Sequence, residues 1–159
     1  MLLYHGSNIF VRDPALVKAD RNLDFGTGFY VTPNFEQAKK MSELTARRRL
    51  EGVPSVTAYE FDEALLKNMR VLSFDEPSAQ WLRFVADNRR GTAGNVDCDV
   101  VIGPAADERA VLVVSLYSAG IYEEDEAIKR LLQNRLPVRY AFKTPNAVKA
   151  LKLKEEIRI

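Results

Sequence analysis

The sequence predicts an α+β domain in which helices are inserted among short strands, rather than a regular βαβ repeat. Three observations carry this. Short β-branched or aromatic runs bounded by glycine and proline recur along the chain, as in "DVVIGP" at Asp99–Pro104. Between them lie segments with helical spacing and capping residues. The chain of 159 residues, 47% hydrophobic and 28% charged, has no internal repeat and no low-complexity linker, so residues 1–159 read as one domain with a full core.

In chain order, residues 1–5 are apolar and predict a first strand. Residues 6–27, with Gly6, Pro14 and Gly26, predict a long loop, and residues 28–32 a strand carrying Phe29 and Tyr30. Asn34 is a good N-cap with Gln37 three residues on, the spacing of a capping box. Ala38, Met41, Leu44 and Thr45 follow at helical spacing, so a helix is expected over 35–50, ended by Gly52 and Pro54. Val56–Phe61 and Arg70–Phe74 read as strands. Asp75-Glu76-Pro77 is expected to open a second helix, with Trp81, Leu82, Phe84 and Val85 facing inward and Gly91 and Gly94 closing it. Asp99–Pro104 predicts a buried strand.

Residues 108–119 are apolar almost throughout, and their length favours a buried helix over a strand. The acidic run Glu123–Glu126 suits the positive end of a helix dipole and begins an amphipathic helix with Ile128, Leu131 and Leu132 on one face. Val138–Lys143 predicts a strand, then a short helix with Thr144 as N-cap and Pro145 at its first position, then a last strand.

Composition removes several function classes. No run of about 18 apolar residues is present, which predicts no membrane partner. No basic-then-hydrophobic leader opens the chain, and the single cysteine, Cys98, has no internal partner, which together predict a reducing, cytoplasmic setting. A net charge of +1 gives no positive support for a nucleic-acid partner. Arg47-Arg48-Arg49 and Arg89-Arg90 are clustered cations whose ordinary reading is a solvated helix end. The phosphate-binding fingerprints GxGxxG and GxxxxGK[ST] are missing, as is the GxSxG elbow, and one histidine with one cysteine predicts no metal site.

Two stretches carry more. "LYHGS", Leu3–Ser7, holds the protein's one histidine beside a glycine. "DFGTGFYVT", Asp24–Thr32, places a tyrosine just after a glycine turn. His5 offers hydrogen bonds at a pocket edge, Gly6 lets a ligand approach the backbone, and Tyr30 presents a flat face and a hydroxyl. Each feature alone has an ordinary structural explanation; together they suit a planar amide joined to a sugar.

In this order the two stretches resemble the first two motifs of the ADP-ribosyltransferase superfamily, in its diphtheria-toxin-like branch with His, Tyr and Glu signature residues. More narrowly, "DFGTGFYVT", "VVIGPAAD" and "YAFKTPNAVKAL" look like a bacterial family of small proteins called domain of unknown function 3990. The resemblance implies a split β-sandwich of two small packed sheets around an NAD cleft. It implies NAD, as substrate, bound by His5, Gly6, Ser7, Gly28, Phe29, Tyr30 and Met41, without a metal. His5 would bond the adenine-side ribose, the Gly6 backbone the carboxamide, and Tyr30 would stack on nicotinamide. Arg12 or Arg21 would suit the pyrophosphate. The implied reaction moves ADP-ribose to a macromolecular acceptor, in the manner of a toxin-like effector with a neutralising protein partner.

Three positions depart from that pattern. Arg139 stands at the third signature position, where a glutamate or glutamine is expected. A carboxylate there would stabilise an oxocarbenium-like charge, which a guanidinium repels. Two unit charges about 4 Å apart interact by roughly 4 kcal/mol at an effective dielectric near 20, so the reversal matters. Met41 stands where a second stacking aromatic is common, and Ala38 where a serine is. Replacement candidates to consider are the acids Asp107, Glu108, Glu60 and the 123–126 run, and the amide Gln133. Asp107, at the end of "GPAAD", is the foremost and is also a natural helix cap. Two functions follow as expectations: an ADP-ribosyltransferase, or a catalytically impaired relative that binds NAD, another nucleotide or a protein. Arg139 pointing into the cleft would disfavour the first.

Overall fold

A computed structural model describes residues 1–16, 22–94 and 96–159. Among these residues seven strands form two small sheets. The first, in order β1-β3-β7, joins Leu2–Ser7, Ser55–Glu60 and Lys152–Arg158, all antiparallel. The second, in order β2-β6-β5-β4, joins Phe29–Val31, Val138–Phe142, Val100–Pro104 and Val71–Ser73; only the β4/β5 pair is parallel. The α+β expectation and the pair of small sheets are thus observed.

Strand periodicity explains the layering. In the second sheet Val100, Phe142, Phe29 and Val31 face one way and meet Leu3, Tyr59 and Phe61 of the first sheet's side. Their neighbours Val101 and Ala141 face the other way. There they meet α2 (Ala79–Arg90), α3 (Glu108–Ser118) and α4 (Glu124–Leu131). Side chains alternate across a strand, so one sheet serves two cores. Trp81 is fully buried in the helical core, and its indole N–H donates to Pro104 O at 2.8 Å. Burial of such a side chain contributes on the order of 2–3 kcal/mol, provided the N–H is satisfied.

Helix α1 (Phe35–Arg49) packs on the outer face of the first sheet, against β1 and β3. Asn34 caps it, its side chain accepting from Gln37 N at 3.2 Å. It ends at Leu50, two residues before Gly52 was expected to act, and Leu50 takes a left-handed φ of 54°. The short helix α5 (Pro145–Val148) has Thr144 as N-cap, as read from the sequence.

Several expectations are corrected. Gly6 and Ser7 finish β1 instead of opening the loop. Ser78, not Asp75, caps α2. Helix α3 is not buried throughout: only Ala110 and Val114 are, and Leu112 is 60% exposed, because the helix lies on the surface of the helical layer. In α4 Ala127 and Leu131 are buried and Ile128 packs against them, as expected of Ile128 and Leu131, while Leu132 turns outward at the helix end. A 3-10 turn at Glu63–Asn68 has no counterpart in the sequence reading.

Candidate functional site

Among the described residues the two sheets are bridged edge to edge at one place. Tyr4 and Thr32 exchange backbone hydrogen bonds of 2.8 and 2.9 Å as an isolated antiparallel bridge. Beyond it β1 and β2 part, and the His5 side chain spans the gap: its Nδ1 lies 2.7 Å from Tyr30 O. A carbonyl only accepts, so Nδ1 carries the proton and Nε2 of the neutral ring is an acceptor. The imidazole stacks on Phe29, with centroids 4.4 Å apart. Burial, above all, holds its pKa below the usual 6.5; the charges of Arg139 and Arg49 add to that, and the Tyr30 carbonyl opposes it.

The parted strands open a cavity of about 550 Å³. His5, Gly6, Ser7, Gly28, Phe29, Tyr30 and Met41 all line it, and so does Arg139. The two motifs, separated by the long loop, therefore meet at one place. Arg139 enters the cavity from the start of β6, and its guanidinium carbon sits 5.8 Å from the Tyr30 ring centroid.

The roles of individual groups are different from a simple open pocket. Gly6 is required by helix packing. A Cβ there would lie 1.9 Å from Ala38 O and 2.9 Å from Ser42 N, so its missing side chain admits the backbone of α1. The Tyr30 hydroxyl is consumed internally: it donates to Gly26 O at 2.5 Å and accepts from Phe25 N at 3.1 Å. Burial raises its pKa well above the ordinary phenol value. Only the ring is available to the cavity.

That hydroxyl is one of three ties on the glycine turn. Gly26 has a φ of 77°, which favours glycine. Lys143, following β6, donates to Phe25 O and Thr27 O, and burial lowers its pKa. Asp24, fully buried, pairs with Arg89 at 2.5 Å and accepts from Ala106 N at 2.9 Å. The turn presenting Tyr30 is thus anchored to α2, β6 and the segment after β5.

Asp107 lies apart from the cavity and is corrected as a site residue. Its carboxylate accepts from Ala110 N at 2.9 Å and caps α3. The other acids considered are also elsewhere: Glu60 is near Lys154 at 3.7 Å, Glu124 pairs with Arg83 and Glu126 with Arg130, each at 2.8 Å. Glu108, Glu123, Asp125 and Gln133 do not line the cavity either. Arg12 is bound by Glu156 of β7, and Arg21 falls outside the described residues.

Asp13 lines the cavity without having been singled out in the sequence, and Arg48 and Arg49, read there as part of a solvated helix end, line it too. Arg49 donates to Asn8 Oδ1 at 3.2 Å, so the Arg47–Arg49 cluster is more than a solvated helix end. The signal was the helical stripe itself: Ala38, Met41 and Thr45 continue at the same spacing to Arg48 and Arg49. Among the described residues Asp13 is the lone carboxylate of the lining, against the three guanidinium groups of Arg48, Arg49 and Arg139. Among the described residues no cluster of three or more metal-ligating side chains is found. No helix among them is long and apolar enough to cross a membrane.

Fold and cavity define an α+β protein with a cationic cleft between two small sheets. The profile of the family described as "Protein of unknown function (DUF3990)" matches residues 1–153, and the chain belongs to that family. No curated protein and no solved structure matches it.

Proposed function

We propose that this chain is an ADP-ribosyltransferase-like protein, with that superfamily's split β-sandwich, whose cleft binds NAD. One observation carries the reading: His5, Gly6 and Tyr30, drawn from two distant motifs, line a single cavity where the sheets part. Its volume suits a nucleotide-sized ligand. The His5 Nε2 acceptor suits a ribose hydroxyl. The Tyr30 face suits a planar ring, and the guanidinium groups suit pyrophosphate.

Binding is better supported than transfer. Cleavage of the nicotinamide–ribose bond builds positive charge on the sugar, and Arg139 in the lining raises the cost of that charge. In this reading the protein holds NAD without turning it over by the carboxylate route. A second reading keeps transfer of ADP-ribose to a macromolecular acceptor, with a toxin-like role, a neutralising partner and a cytoplasmic setting. What favours it is Asp13, a carboxylate in the same lining.

Calorimetric titration with NAD tests the binding reading. Saturable heat is expected from the wild type and not from Met41→Trp, which fills the cavity from α1. No heat at millimolar NAD, or the same heat from both proteins, overturns it. Nicotinamide released by the wild type in proportion to protein would restore the transferase reading.

A further inference from the structure

We infer that the cleft prefers ADP-ribose to NAD, because the Arg139 guanidinium occupies the space over Tyr30 that a cationic nicotinamide ring would need. The inference rests on the nucleotide-cleft reading above and specifies which end of the ligand it rejects. NAD carries a pyridinium, whereas ADP-ribose ends in an uncharged sugar and keeps both phosphate charges. The two ligands are otherwise alike, so the difference falls on the ring and its positive charge.

Three features of the cavity bear on that end. Arg139 sits over the Tyr30 ring face at 5.8 Å, so a flat cation stacking there must displace a guanidinium already held by the same π-system. The described lining holds three arginines and one carboxylate, a local excess of positive charge that favours the more anionic ligand. The third is His5, where the charges of Arg139 and Arg49 both reach the ring and add to the effect of burial. The cations therefore converge at the place where the two motifs meet. A free sugar hydroxyl placed there can accept from a guanidinium; a pyridinium offers it repulsion.

Parallel calorimetric titrations of the full chain with ADP-ribose, NAD and ADP test this, alongside Arg139→Gln. The wild type is expected to bind ADP-ribose about tenfold more tightly than NAD, and the variant to lose most of that ratio. Equal or tighter binding of NAD by the wild type overturns the inference and leaves the NAD-cleft reading intact. A preference that survives unchanged in Arg139→Gln also overturns it, since the ratio would then reflect ligand charge alone. No heat from any of the three ligands removes the nucleotide-cleft reading and this inference with it. The two wild-type titrations decide the first point even if the variant folds poorly.

Discussion

The guanidinium carbon of Arg139 lies 5.8 Å from the centroid of the Tyr30 ring, inside the cavity that both residues line. A cation stands where the resemblance implies a glutamate or glutamine, and it lies over the tyrosine ring of the neighbouring strand.

Replacing that cation by a carboxylate is the direct test of the charge argument. Arg139→Glu is expected to raise nicotinamide release from NAD at least about tenfold over the wild type, since each 1.4 kcal/mol recovered in the barrier is a factor of ten. Chromatographic assay of free nicotinamide decides it. An unchanged rate would mean that the sign of the charge at residue 139 does not limit cleavage.

Gly6→Ala is expected to destabilise the fold by roughly 3 kcal/mol or more, at the upper end of overpacking effects. The new methyl group would meet Ala38 O at 1.9 Å, a backbone atom inside a helix that cannot turn away. Urea unfolding measures it. A loss below about 1 kcal/mol would show that α1 can lift from β1 more easily than the packing implies.

Arg89→Ala strands the buried Asp24 carboxylate with the Ala106 N–H as its one remaining partner among the described residues. Breaking a buried pair by removing one partner costs about 3–5 kcal/mol. Adding Asp24→Asn to the same protein is expected to recover part of the loss, because the amide still accepts from Ala106 N and carries no charge. A double-mutant cycle by denaturant unfolding checks the coupling; additive losses would deny the pair its role in anchoring the glycine turn.

His5 is the one histidine, so its titration can be followed without overlap. Its folded-state pKa is depressed below 6.5, chiefly by burial. The unfolded chain therefore binds a proton more readily than the native protein in the window below 6.5. Stability is fully present above that value and is lost as pH falls through the window toward the folded pKa. The imidazole NMR resonances should titrate below 6.5, and His5→Gln should flatten the pH dependence of stability there. A midpoint at or above 6.5 would contradict the burial of the ring.

Much of this arrangement was legible in the residues because local chemistry and tertiary structure agree. Asn34 and Thr144 act as the caps their side chains suggest, and the Val100/Val101 and Ala141/Phe142 pairs divide between two cores as strand alternation requires. The cavity-lining set around His5 and Tyr30 was also legible, since both motifs are short and contiguous. Other features depend on distant partners. Gly6 reads only as a cavity residue until Ala38 is brought against it and shows that its missing side chain also admits the helix. Arg89 looks like a solvated cation until Asp24, 65 residues away, is buried beneath it. Asp107 offers the same carboxylate to catalysis or to a helix end, and only the placement of α3 decides between them. In the apolar run 108–119 the exposed side carries Leu112 and Ala119 beside Glu108 and Ser115, too weak a polar face to reveal that one side meets solvent.

The contact between Gly6 and Ala38 divides the cleft into two halves with different freedom to vary. On the β1–α1 half, backbone presses on backbone, so a change at either position disturbs the frame before it reaches a ligand. The opposite half is supplied by side chains at the beginning of β6, where residue 139 is partly exposed and has no such neighbour to satisfy. Among relatives that share this frame, divergence in ligand choice should therefore accumulate at the β6 entrance, with the β1–α1 seam serving as the inherited mould.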